Sequence, residues 1–129
     1  KYDLDIPLSL IKIVKTHASS LNRISKERIH DELNKILLLP KPSRAFRLFK
    51  MTGILEIILP ELSALVNLKQ NAYHVDDAFY HTLSVLDKTP ENLIQRLGAL
   101  FHDIGKAATR TEKNGKIQFI GHENVGAKI

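Results

Sequence analysis

The sequence predicts an all-α protein with one small β-hairpin. Three observations point there. Apolar residues recur at three- and four-residue spacing in successive windows, Pro, Ser and Gly stand at the joints between those windows, and hairpin chemistry occurs at a single place, Asn114-Gly115.

Pro7 suits a first helical turn, and Leu10, Ile11, Ile13, Val14, Ala18 and Leu21 keep helical spacing behind it, predicting a first helix over 7–21. Ser25 reads as the N-cap of a second helix whose face is Ile29, Leu33, Ile36 and Leu37 and which Pro40 forbids to continue. Ser43 reads as the next cap, with Ala45, Phe46, Leu48, Phe49 and Met51 inside the helix and Gly53 just past its end. Residues 54–65 supply a further helical stretch, bent or restarted at Pro60. Asn67 to His74 breaks the periodicity with polar turn formers, which divides the chain into 1–67 and 68–129. Val75 to Leu86 and Glu91 to Asp103 then read as two helices separated by 87–90. Thr109, Thr111, Ile117, Phe119 and Ile120 flank Asn114-Gly115, predicting a two-stranded excursion within 108–120, and Gly121-His122 opens a last helix.

Composition narrows the function classes. The 129 residues are 43% hydrophobic, enough for an ordinary core. There is no cysteine, so disulfides and thiolate metal sites are excluded and any metal must sit on His, Asp, Glu or water. The apolar runs fall far short of the ~20 residues that cross a bilayer. These features predict a cytoplasmic protein without a membrane partner. The net charge of +5 resides wholly in the first half: residues 1–70 carry 12 Lys/Arg against 7 Asp/Glu, and residues 71–129 carry 7 of each. That asymmetry suggests a polyanionic partner for the first half. Lys41, Arg44, Arg47 and Lys50 recur every three residues, a basic stripe able to track phosphates.

The chemistry concentrates in Gly98 to Lys106. His102-Asp103 is a vicinal imidazole and carboxylate at the end of an apolar helical run, able to share one divalent ion near the helix end. Gly105 and Lys106 suit a loop that admits a phosphate and neutralises it. His81 and His122, on neighbouring elements, can converge on the same point. Plainer structural readings exist for each: His81 as a core or surface residue, His122 as a cap, Lys106 as a solvated lysine. Asp103 could be an ordinary helix-terminal residue, although a carboxylate there opposes the macrodipole and calls for a compensating charge. His17, His30 and His74 read as structural or surface residues, with His74 a reserve ligand two turns before His81.

His81, then Leu100-Phe101-His102-Asp103-Ile104-Gly105-Lys106, then Gly121-His122-Glu123, resembles the HD superfamily of metal-dependent phosphohydrolases. The resemblance implies that His81, His102 and Asp103 are metal ligands. It also implies that Lys106 and His122 are the catalytic residues, Lys106 meeting substrate phosphate and His122 lining the site or serving a second metal. The ion would be Mg, Mn, Co, Ni or Fe, and the substrate a nucleotide or another phosphorylated molecule. The family's fourth ligand, a later aspartate, would lie downstream of His122. In the first half, Ile24 to Ile29 with Asp31-Glu32-Leu33, Pro42-Ser43-Arg44, Met51 to Leu55 and Leu59 to Leu62 resemble the RNA-binding region of bacterial tRNA nucleotidyltransferases, the CCA-adding enzymes related to poly(A) polymerase. Many members carry an HD domain directly afterwards, so the two matches stand in the family's order. This implies a helical RNA-binding region over 1–67, the front part of an HD domain over 68–129, and tRNA or another RNA as partner. It also implies a fragment of a longer parent, since the polymerase head lies outside these residues. A stand-alone HD nucleotide phosphohydrolase and a structural RNA-binding module with a vestigial HD site are the rival expectations.

Overall fold

The computed structural model describes residues 6–70 and 77–129. The order is α1 (Leu8–His17), a 3-10 segment (Ala18–Arg23), α2 (Lys26–Leu37), α3 (Ser43–Thr52), α4 (Ile54–Ile58), α5 (Pro60–Ser63), α6 (Ala78–Lys88), α7 (Leu93–Phe101), α8 (Lys106–Thr109), β1 (Thr111–Lys113), β2 (Lys116–Gln118) and α9 (His122–Gly126). The protein is all-α apart from one antiparallel hairpin. It pairs Thr111 with Gln118, Glu112 with Ile117 and Lys113 with Lys116. Asn114 and Gly115 both have positive φ, 53° and 71°, as the expected tight turn requires.

The first predicted helix is shorter than its apolar spacing suggests. It ends at His17 because the Ser20 hydroxyl donates to the His17 carbonyl at 2.7 Å and the chain tightens into the 3-10 segment. Ser25 caps α2 as expected, accepting from the Arg28 N–H. Ser43, expected to be a cap, is the first residue of α3. The cap comes instead from Asp87 on α6, whose carboxylate accepts from the Ser43 N–H at 3.1 Å and from its hydroxyl at 2.7 Å. Gly53 ends α3 at φ 74°, and Pro60 restarts the chain as α5.

Ala78–Lys88 forms the described part of the next predicted helix, while Val75 and His74 lie outside the described residues. Asp77 caps it, one carboxylate oxygen accepting from Tyr80 N–H at 2.9 Å and the other from Asn67 N–H at 2.8 Å. This ties the start of α6 to the segment behind α5. The helix expected to run through Asp103 stops at Phe101. His102 to Gly105 form a turn, held by Ile104 N–H to the Phe101 carbonyl and Lys106 N–H to the Asp103 carbonyl.

One buried cluster unites Leu37, Phe46, Leu55, Leu62 and Leu65 with Ala78, Phe79, Leu83, Leu86 and Leu100, drawing on residues either side of position 67. The largest side chain in this interior is Arg96 on α7, 2% exposed. Its Nε donates to the Thr89 and Pro90 carbonyls at 3.2 and 3.0 Å, and its Nη1 to the Leu37 and Leu39 carbonyls at the end of α2. Those carbonyls are the unpaired, partially negative end of a helix, which suits a guanidinium.

Gly105 has an ordinary φ of −75°, so its backbone does not need glycine for conformation. It needs glycine for space: a Cβ there would lie 2.1 Å from the His122 carbonyl oxygen and 2.7 Å from the Gly126 nitrogen. Packing of α9 against the turn therefore excludes a side chain at this position.

Arg96→Ala should lower the unfolding free energy by about 2–5 kcal/mol, read as a lower urea midpoint, with Arg96→Lys intermediate because one ammonium cannot reach four carbonyls. Gly105→Ala should cost about 1–3 kcal/mol and selectively raise hydrogen exchange in 122–126 while α7 stays protected.

Candidate metal centre

Four elements deliver side chains to one carboxylate. Asp103, in the turn after α7, has a side chain only 4% exposed. Its Oδ2 lies 3.2 Å from His102 Nε2, 3.9 Å from His81 Nε2 on α6 and 2.7 Å from Lys106 Nζ at the start of α8. Its Oδ1 lies 3.6 Å from His122 Nε2 at the start of α9. One ligand atom each from His81, His102 and Asp103 falls within 4.8 Å of the others, the spread of a chelating set. His81 and His102 rings are 5.6 Å apart and tilted by 59°. The predicted pair and the two predicted histidines are brought together, with Lys106 beside them.

Local structure explains the convergence. His81 lies one turn into α6, its N–H bonded to the Asp77 carbonyl. The α7 helix packs against α6, so ending α7 at Phe101 sets the next turn opposite His81. On an unbroken helix His102 and Asp103 would diverge by about 100°. The turn removes that obstacle.

The outer nitrogens of two imidazoles are committed. His102 Nδ1 donates to the Ala99 carbonyl and His122 Nδ1 to the Phe119 carbonyl, both at 2.8 Å. A carbonyl only accepts, so both Nδ1 atoms carry hydrogen and both Nε2 atoms face Asp103. In a neutral ring Nε2 bears a lone pair, and a lone pair facing a carboxylate repels it unless a proton or cation lies between. The donor set thus fits a divalent ion of borderline hardness, with the backbone carbonyls orienting the rings.

Protons serve the same purpose in the protein alone. Burial pushes the Asp103 carboxyl up, but the His102 and Lys106 hydrogen bonds and charges outweigh it and hold the group down at about 2. The Asp103 hydrogen bond likewise raises the His102 imidazole above its usual value, against its own partial desolvation. Gln70, which carries no motif and falls in the segment where periodicity breaks, accepts from Lys106 Nζ at 2.7 Å. Spacing could not have found it. Two apolar cavities along α2, about 370 and 630 Å³, are lined by residues such as Ile24, Ile29 and Leu33, and neither is lined by this cluster.

The basic stripe spans the turn before α3 and the helix itself. Lys41, Arg44 and Arg47 are exposed, and Lys50 is half-buried. Lys50 Nζ donates to the Tyr80 hydroxyl at 2.9 Å and lies 4.5 Å from the ring centroid, while the Arg47 guanidinium lies 5.2 Å from the same ring. No helix among the described residues is long and apolar enough to cross a membrane.

A family model described as "Probable RNA and SrmB- binding site of polymerase A" matches residues 3–65. A CC-adding tRNA nucleotidyltransferase of Thermus thermophilus is 39% identical over 125 residues, 92% of this chain and 28% of that protein. An A-adding tRNA nucleotidyltransferase of Deinococcus radiodurans is 34% identical over 110 residues, 80% of this chain and 25% of that protein. A multifunctional CCA protein of Verminephrobacter eiseniae is 34% identical over 127 residues, 95% of this chain and 30% of that protein. No solved structure matches significantly. The chain spans between a quarter and a third of the length of these curated relatives. The relatives align across both the basic helices and the His-Asp cluster, and the RNA-binding match covers the first of these, so the chain belongs to the bacterial tRNA nucleotidyltransferase family.

Proposed function

We propose that the chain couples RNA binding to metal-dependent phosphoester hydrolysis in tRNA 3′-end processing in the cytoplasm. Residues 1–67 form the RNA-binding region and 68–129 the front of an HD-type site, within a parent that acts as a CCA-type nucleotidyltransferase. The observation that carries the hydrolytic reading is the meeting of His81, His102 and Asp103 within chelating distance, with the His102 Nε2 turned toward the carboxylate.

His81, His102 and Asp103 would hold the ion, which would be Mg, Mn, Co, Ni or Fe on donor grounds. When bound, the ion supplies an acidified water and polarises the phosphoryl group of a phosphomonoester or 2′,3′-cyclic phosphate end. Asp103 remains ionised across the physiological range, because its neighbours hold its carboxyl near 2. The Ala99 and Phe119 carbonyls keep His102 and His122 in one tautomer. Lys106, its side chain 12% exposed, places a positive charge beside the carboxylate for the substrate's phosphate to meet. On the other side of α6, Lys41, Arg44, Arg47 and Lys50 track the RNA backbone.

Titrating Mn²⁺ into the chain should give saturable binding near one ion per chain, lost by more than about tenfold in His81→Ala and Asp103→Asn. A full-length parent that supplies the downstream aspartate and still binds no Mn²⁺ would leave a structural RNA-binding module. Mn²⁺ affinity should rise with pH, by up to about tenfold per unit per proton displaced, as pH passes the raised His102 value. Without metal the sign reverses for stability: the His102 contribution is complete below its unfolded value of 6.5 and fades as pH rises through the higher folded value. The Asp103 contribution is complete above 3.8 and is lost as pH falls through about 2. Lys41→Ala with Arg44→Ala should weaken tRNA binding and flatten the slope of log affinity against log salt by about 0.7–0.9 per residue, measured by filter binding.

A further inference from the structure

Gln70 is tied into the cluster through Lys106. Its Oε1 accepts from Lys106 Nζ at 2.7 Å, and the same ammonium donates to Asp103 Oδ2 at 2.7 Å. An ammonium has only hydrogens to offer, so the amide oxygen faces Lys106 and the amide nitrogen is left to find an acceptor elsewhere. That nitrogen, Nε2, is buried and has no hydrogen-bond partner among the described residues. A buried donor without an acceptor is costly, and native structures pair almost all of them with protein, water or a ligand.

The surroundings specify the chemistry of that acceptor. Lys106 Nζ is a second donor attached to the same amide, with the Phe119 ring 5.5 Å away on one side. The Asp103 charge already has Lys106 and His102 beside it, so an arriving anion does not meet a bare carboxylate. An oxygen that accepts from an amide and an ammonium together is bound most strongly when it is anionic, and a tetrahedral phosphate offers such an oxygen. We propose that Gln70 Nε2 and Lys106 Nζ form a two-donor cradle for a non-bridging phosphoryl oxygen, which makes Gln70 a substrate-binding residue of this site. The proposal rests on the phosphohydrolase reading and adds the residue that grips the phosphate.

Calorimetric titration of inorganic phosphate into the 129-residue chain, without metal, tests it. Gln70→Leu removes both amide atoms, whereas Gln70→Glu keeps an oxygen for Lys106 and removes the donor. Thermal unfolding of both variants first establishes that each is folded. The unaltered chain should bind phosphate, and each folded variant should bind at least about tenfold more weakly, the loss expected for a hydrogen bond to a charged group. Equal affinity in the unaltered chain and either folded variant would overturn the cradle, and so would an absence of phosphate binding by the unaltered chain. A parallel Mn²⁺ titration of the full-length parent reads the metal site by itself: its failure would remove the metal reading, while the phosphate comparison still decides the role of Gln70.

Discussion

A buried guanidinium sets the geometry on which the rest of the molecule depends. Arg96 reaches from α7 to the end of α2 and to the link between α6 and α7, donating to four backbone carbonyls. Its rigid fork defines the height of α7 as well as its contact. Sliding α7 by one residue would move it about 1.5 Å and turn it about 100°, enough to carry the following turn away from His81. Stability and site assembly are thus linked through a residue that touches neither metal nor phosphate.

At the end of α7 the controlling quantity is the charge around Asp103. A carboxylate with a side chain 4% exposed is expensive to bury, and here His102, Lys106, His81 and His122 surround it. The His102 and Lys106 hydrogen bonds and charges offset that cost and hold the carboxyl at about 2. The His102 nitrogen that faces Asp103 is the one that a cation would have to share, and Lys106 is divided between that carboxylate and Gln70.

The α6 helix joins the basic stripe to the His-Asp cluster. Tyr80 presents its ring to Arg47 and its hydroxyl to Lys50, and the next residue, His81, faces the His-Asp turn. Asp87, two turns further along, caps α3 from the side and so holds the origin of the basic stripe. Adjacent residues on a helix point about 100° apart, so one helix can serve a basic surface and a metal cluster without either crowding the other.

Local signals made the helices legible because their causes lie within a few residues: apolar spacing, the Ser25 cap, the Gly53 terminus, the Pro60 restart and the Asn114-Gly115 turn. They also identified the His102-Asp103 pair, its companions in the chain, and the family. Spacing was silent where a distant group decides. Ser43, expected as a cap, takes its cap from a residue 44 positions away, Lys106 meets Gln70 across 36, and Arg96 bonds Leu37 across 59. At Gly105 it is the close approach of α9 that excludes a side chain. By itself the sequence determined which segments coil into helices and which residue types could bind a cation. Tertiary packing alone decided which of them meet, because the contacts that aim His81, Lys106, Gln70 and His122 at Asp103 run between elements whose approach no periodicity encodes.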